Sequence, residues 1–359
     1  MAQKKLLLFD KVIARGKKHQ SINGAERFNL CLAAQLQECG VDVTIVGSRG
    51  WEADINRISD KGSLEVIWMP EIFRVAWPNV FLSFFSLAKR RFDTLLLGNV
   101  GHTTLPTVLL LHSLGCFSHC VLMAHREPTP IFLRLLKLLP IQVVAVNHQI
   151  ADHFKRAGFN NVEVYFGEIN HERFLPSLEE KKSDGFFHFA VFGSLDSEWK
   201  GADTAIEAFM RLPEHIKSKS KLHLASFAHT NPNIEHPSII KYSWMDEADV
   251  PEFLRSLDVL LVPSRDEGVM RETFSQAMVQ GMLCGLPLIV NDLPILKEKV
   301  EDGGGLVFKN IDELVSHMIR LFENKSERKK LSESAIKAAR DRYCWNSSYF
   351  VKRFLPQPV

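Results

Sequence analysis

An excess of charge of one sign is the plainest thing this sequence lacks: 44 Lys and Arg stand against 42 Asp and Glu, a net charge of +2. That balance makes no whole-molecule case for a nucleic-acid partner, so any basic function has to be local. Cysteine is sparse, and its copies are scattered at 31, 39, 116, 120, 284 and 344. Such usage points to a reduced, cytoplasmic chain with buried thiols and away from a disulfide framework. Long apolar runs are also few. The opening "MAQKKLLLFDKV" is too short for a signal peptide and is interrupted by Asp10, so it reads as a first β-strand. "TTLPTVLLLHSLGCFSHCVLMA", 103–124, holds no Asp, Glu, Lys or Arg, but Pro106, Gly115, two histidines and several hydroxyls suit a lone lipid-facing helix badly. The pattern predicts a buried helix over about 104–114 and a buried strand over about 119–124.

What is present is alternation. "KLLLFD", "VDVTIVG", "LEVIWM", "DTLLLGN", "CVLMAH", "QVVAVN" and "VEVYF" are strand candidates, most of them apolar on both faces like strands of a covered parallel sheet. Helical patterns such as "GAERFNLCLAAQLQECG" and "PTPIFLRLLKLL" lie between them. A polar stretch at 176–185 breaks the alternation and reads as a linker. "FHFAVFGS", "KLHLASF", "IIKYSW", "DVLLVPS", "LPLIVND" and "GLVF" then resume it, and three helical patterns close the chain at about 311–322, 327–342 and 346–354. The expectation is an α/β protein of two β/α domains, 1–175 and 186–345, with 346–359 a helix that crosses back to the first. Sheets of this kind bind ligands beyond the C-terminal ends of their strands. No short internal repeat appears.

Three stretches sit where such rims are expected. In "SINGAERFNL" a polar loop (11–23) ends at Asn23-Gly24 and a helix follows, so Gly24 lets a ligand approach the backbone. An ordinary glycine turn into a helix explains it equally well. In "FGSLDSEWKGADTAIEAF" a strand ends at Gly193 and Lys200-Gly201 opens a helix; that lysine reads either as a point charge for a diphosphate or as a solvated surface residue. In "RETFSQAMVQGMLCGLPLIV" Glu272 stands at a loop–helix junction, with Thr273, Phe274 and Ser275 offering amides at the helix N-terminus. Glu272 reads either as a group for sugar hydroxyls or as a partner of its own helix dipole. Gln280 follows eight residues later, about 12 Å along a helix. His102, His112, His119 and His125 crowd one region with Cys116 and Cys120, yet their spacing matches no zinc pattern, and no metal is expected. His125 differs from the rest, because it closes a strand at the rim.

Taken in order, "NGAER", "MAH", "FGEINHERFLP", "FGSLDSEWKG", "DVLLVPS", "ETFSQAMVQGMLCGLPLIV" and "VEDGGGLVF" resemble the family-four glycosyltransferases of GT-B fold, over nearly the whole chain and most strongly from 188 to 308. The resemblance implies two Rossmann-like domains facing each other across a cleft, the acceptor mainly on the first and a nucleotide sugar mainly on the second. It implies transfer with retention of anomeric configuration, without metal or other cofactor, from a UDP- or GDP-linked donor. Gly24 matches a glycine-rich first loop against the donor, His125 a histidine near the reacting sugar, and Lys200 a lysine on the diphosphate. Glu272 matches the first acid of a Glu-x7-Glu motif that holds the transferred sugar. The chain departs from the family twice. Gln280 stands at the second, ribose-binding acid, and Ser194 where an arginine usually neutralises the diphosphate; Arg265 or Arg271 is a candidate to supply the missing charge.

The acceptor is expected to be a glycan or a lipid-linked glycan of polysaccharide biosynthesis. The helical patterns 77–92 and 131–140 combine apolar faces with basic residues, as helices on the anionic inner leaflet do, and as core-packing helices with solvated edges also do. Two other functions fit the same architecture: a sugar-nucleotide 2-epimerase, which would change its nucleotide sugar with no acceptor present, and a non-catalytic nucleotide-sugar-binding member.

Overall fold

The computed structural model describes residues 3–10, 13, 24–58, 64–69, 76–102, 104–166, 173–177, 184–195, 197–226, 234–242, 245, 248–268, 272–344 and 346–356. The loop 11–23 apart from Ile13, the middle of the predicted linker (178–183) and Arg271 lie outside the described residues.

The chain divides into two compact units, Met1–Phe166 with Asn346–Val359, and Gly167–Trp345. The first is built on seven strands: β1 (Lys5–Phe9), β2 (Asp42–Gly47), β3 (Glu65–Trp68), β4 (Phe92–Leu97), β5 (Phe117–Ala124), β6 (Ile141–Ala145) and β7 (Val162–Val164). They pair in the order β3-β2-β1-β4-β5-β6-β7, every pair parallel. The order reverses between β1 and β4, which opens a crevice at their C-terminal ends. Leu6, Leu7, Leu8, Leu95, Leu96 and Leu97 are all buried, so these central strands carry apolar side chains on both faces, as helices on both sides of a sheet require. The stretch 103–124 resolves into the helix Leu105–Ser113 and β5.

The helix Ser347–Phe354 belongs to this unit. Asn346 caps it through Tyr349 N at 3.0 Å, and the Tyr165 hydroxyl both accepts from Asn346 N at 3.3 Å and donates to its carbonyl at 3.4 Å. Arg353 Nε donates to Glu163 at 2.7 Å, and the Tyr165 ring meets Phe350 and Phe354 edge-on.

The second unit has six strands: β8 (Phe187–Gly193), β9 (Ser220–Ser226), β10 (Ile239–Tyr242), β11 (Val259–Val262), β12 (Leu288–Asn291) and β13 (Gly305–Phe308). Their order is β10-β9-β8-β11-β12-β13, again all parallel, with the reversal between β8 and β11. Phe189, Val191, Leu224, Leu261 and Ile289 form one layer of the core, against Ala205, Phe209, Leu314 and Met318 from the helices. Residues 173–175 group with this unit and not with the first, to which the sequence assigned them; Arg255 Nη1 donates to the Leu175 carbonyl at 3.3 Å.

Candidate functional site

In the second unit, the loops leaving β8 and β11 meet beside the reversal of strand order. The first loop is anchored by Leu195 N, which donates to Ser226 Oγ at the end of β9 at 3.3 Å. Its far end, the turn Glu198–Lys200, is fixed to the second loop by Arg265 N donating to the Trp199 carbonyl at 2.7 Å. Gly201 then enters the helix Ala202–Met210 at φ 73, and a Cβ there would lie 2.1 Å from the Pro263 carbonyl oxygen. Only glycine fits that close approach. On the other side, Asn291 Nδ2 donates to the Ser264 carbonyl at 2.9 Å, so the loop after β11 is pinned from β12 as well.

Lys200 projects from this frame. Its Nζ donates to Glu272 Oε1 and lies 4.4 Å from the centre of the Trp199 ring. The Glu272 side chain is almost wholly buried, while that of Lys200 keeps 17% of its surface. A carboxylate at that depth needs its cation. The two groups, 72 residues apart in sequence, thus form one site, with an ammonium on the water side. Ser194 is exposed at the end of β8.

One expectation is corrected here. The helix after Glu272 begins at Gln276 and not directly after the acid, because Ser275 adopts φ 63 and stops helical geometry from reaching further back. Thr273, Phe274 and Ser275 are therefore a loop with Ser275 as N-cap, and Gln280 does not lie eight helical residues from Glu272. Gln280 is inside the helix and 8% exposed.

Arg265 lies on the loop after β11. Its Nη1 donates to Asp203 at 2.7 Å and its Nη2 to the Glu198 carbonyl at 2.6 Å, with Glu267 3.6 Å from Nε. The hydrogen bond to Asp203 further stabilises its charged form. The guanidinium thus braces the two loops beside Lys200.

In the first unit, a second polar cluster sits at the other reversal of strand order. Asp10 follows β1, Gly98 follows β4 and His125 follows β5, while Asn29 comes from the helix Gly24–Glu38 that Gly24 opens. Asn29 Nδ2 donates to Asp10 Oδ2 at 2.7 Å and to the Gly98 carbonyl at 3.2 Å. That leaves Asn29 Oδ1 to accept from His125 Nε2 at 3.2 Å, which fixes the proton of the neutral imidazole on Nε2. The bare Nδ1 is left as an acceptor. Burial, aided by the nearby Arg126 charge, depresses the His125 pKa to about 3. His125 is thus a neutral hydrogen-bonding group at physiological pH. Asp10, Asn29 and Gly98 were not singled out from the sequence; the one signal was an acid closing an apolar strand. Among the described residues of the neighbouring histidine–cysteine stretch and elsewhere, no group of three His, Cys, Asp or Glu stands close enough to hold a metal ion.

A pH dependence follows. His125 takes up a proton near 6.5 when unfolded and near 3 when folded, so the unfolded chain binds more protons between those values. Stability of the first unit is fully present above 6.5 and falls as pH drops through that window, by at most about 1.4 kcal/mol per pH unit from this group. Urea unfolding of wild type and His125→Gln between pH 6.5 and 4.5 checks it. The wild type is expected to lose stability more steeply than the variant.

The two parallel, doubly wound domains match the GT-B architecture of solved glycosyltransferase structures. Residues 187–324, most of the second unit, match the family described as Glycosyl transferases group 1. An uncharacterised glycosyltransferase of Methanocaldococcus jannaschii is 26% identical over 64% of this chain and 62% of its own. An uncharacterised 41.2 kDa protein in the cps region of Klebsiella pneumoniae is 35% identical over 26% of this chain and 27% of its own. The matches thus span less than two thirds of these relatives. Among solved structures, HepE of Anabaena in complex with UDP-glucose superposes with a TM-score of 0.74 at 16% identity, over 98% of both chains, which shows the shared fold.

Proposed function

We propose that this protein transfers a sugar from a UDP- or GDP-linked donor to a glycan or lipid-linked acceptor, with retention of anomeric configuration and without a metal ion. The observation that carries the proposal is the Lys200–Glu272 pair at the strand-order reversal of a group 1 glycosyltransferase domain. Donor binding exchanges that ion pair for two new contacts. The Lys200 ammonium takes the diphosphate and supplies charge to the leaving group, the task for which a metal is otherwise used. The Glu272 carboxylate takes hydroxyls of the transferred sugar. Backbone amides of Thr273, Phe274 and Ser275 and of the helix start add dipoles beside the phosphates. The Gln280 amide meets the nucleotide ribose, accepting from one hydroxyl and donating to another. Gly24 lies along the donor, and His125 offers Nδ1 to a hydroxyl near the reacting carbon.

The test is product analysis after incubation of UDP-glucose and a GDP-hexose with the protein and no acceptor. Slow release of free sugar with its original anomeric configuration, lost in Glu272→Ala, supports the transferase. A changed nucleotide sugar would instead make the protein an epimerase. Binding without turnover would make it a non-catalytic member, a reading to which Ser194 and Gln280 lend weight.

We further propose that the first unit rests on an anionic lipid surface, which favours a lipid-linked acceptor at the inner leaflet. No helix among the described residues is long and apolar enough to cross a membrane. The helix Ala76–Leu87 contains no charged residue, and exposes Phe81 at 39% and Phe85 at 61%. The helix Leu105–Ser113, packed beside it, exposes Leu110 and, just past its end, Leu114. Each pair is four residues apart and so lies on one helical face. Lys89, Arg90 and Arg91 follow at the end of the first helix, exposed, and in 131–140 Ile131 and Leu138 stand out beside Arg134 and Lys137. Apolar rings bordered by cations suit an anionic surface. Phosphatidylserine vesicles should therefore bind the wild type at least about tenfold more tightly than the Phe81→Ser/Phe85→Ser variant in co-sedimentation. Equal binding by both would remove the proposal.

A further inference from the structure

Lys299 is one of the largest fully buried side chains of the protein, at 1% exposure. It stands on the helix Pro294–Val300, remote in sequence from every residue assigned to the donor site. Its Nζ donates to the Ile295 carbonyl at 3.3 Å and lies 4.5 Å from the centre of the Phe274 ring and 5.2 Å from that of Tyr343. The two rings meet edge to face, 6.1 Å apart. The ammonium is thus held against two aromatic faces inside the second unit. An ammonium so removed from water gains far more from a ring than an exposed one does.

Phe274 connects this buried cation to the site. It is itself buried, and it stands between Thr273 and Ser275, two residues after the acid paired with Lys200. Ser275 is the only described residue other than glycine in the left-handed region, at φ 63. That conformation is unfavourable for a residue with a Cβ and persists only where neighbouring structure enforces it. On one side, the Ser275 carbonyl accepts from Met278 N at 3.2 Å and Val279 N at 3.4 Å, as the helix start demands. On the other, the chain is held by the Phe274 ring.

We propose that Lys299 is a positioning residue for the donor site: by clamping the Phe274 ring against Tyr343 it enforces the left-handed Ser275 and so sets the Glu272–Ser275 loop. The inference rests on the donor-site reading above only for its functional consequence. The clamp itself is a statement about the loop, and it can be read with no ligand present.

Hydrogen–deuterium exchange over 272–279 in the full chain is the test, comparing wild type, Lys299→Met, Ser275→Gly and the double variant. Methionine keeps the apolar stem and removes the cation. Amides of this segment should exchange about tenfold faster in Lys299→Met than in wild type, and UDP should bind that variant about three- to tenfold more weakly by calorimetry. Glycine adopts the left-handed conformation without enforcement. The Lys299→Met change should therefore weaken UDP binding much less in a Ser275→Gly background than in wild type. A purely structural lysine would lower stability and binding together in both backgrounds. Unchanged exchange in Lys299→Met overturns the clamp. Faster exchange with unchanged UDP affinity overturns its role at the donor site. Absence of UDP binding by the wild type would sink the donor reading, with the exchange data still deciding the clamp.

Discussion

Lys200→Ala and Glu272→Ala should each abolish turnover to within about a hundredth of the wild-type rate, since each removes a charged contact to the donor from a partly water-excluded site. Their effects on stability should differ from their effects on rate. Lys200→Ala leaves the Glu272 carboxylate buried without its cation, which costs about 3 kcal/mol, the lower end of the range for buried pairs because Lys200 retains partial exposure. Replacing both partners with neutral residues of similar shape, as in Lys200→Met/Glu272→Gln, should recover most of that loss, because no charge is then left unpaired. Turnover should not recover. Urea unfolding and acceptor-free hydrolysis on the same four proteins read the two effects separately. Full activity in either single variant would reduce the pair to a structural device.

Gly201→Ala is expected to be the most destabilising single methyl group in the second unit. The added carbon would need to sit 2.1 Å from the Pro263 carbonyl oxygen, in a backbone conformation at φ 73 that alanine resists. Neither neighbour yields cheaply, because Pro263 belongs to the loop pinned through Ser264 by Asn291 and through Arg265 by Trp199. Overpacking against backbone and the left-handed penalty together come to about 2–4 kcal/mol. Donor binding should weaken as well, since relief of the clash separates the two loops and carries Lys200 away from Glu272. The midpoint of urea unfolding and a UDP titration check both consequences. An unchanged midpoint would mean that the two loops are not in such close contact.

The strands were the most legible part of the sequence. All thirteen among the described residues correspond to runs read from the sequence; the central ones stand out because strands covered on both faces by helices are apolar throughout and bounded by polar turns. The pairing of Lys200 with Glu272 was not readable as a contact. Each was a candidate alone, and only the parallel register of β8 with β11 brings their loops together. The start of the helix after Glu272 was misread because Phe274 and Met278 keep a helical spacing through the loop. What displaces it is Ser275 in a conformation normally left to glycine, and composition carries no sign of that. The Asp10–Asn29–His125 line was hidden for a similar reason. Its members come from a strand end, a helix and another strand end, and nothing local marks Asn29 as an orienting group. The partners of Arg265 were equally hidden: Asp203 and the Glu198 carbonyl reach it only once the loops fold.

The most direct measurement of the central claim is calorimetric titration of the wild-type protein and Lys200→Ala with UDP-glucose and a GDP-hexose, in the presence of a chelator. A nucleotide sugar that binds the wild type without metal, and binds Lys200→Ala at least about tenfold more weakly, is the result expected for a diphosphate held by this lysine. Binding that needs added magnesium, or that ignores the loss of Lys200, would contradict the account.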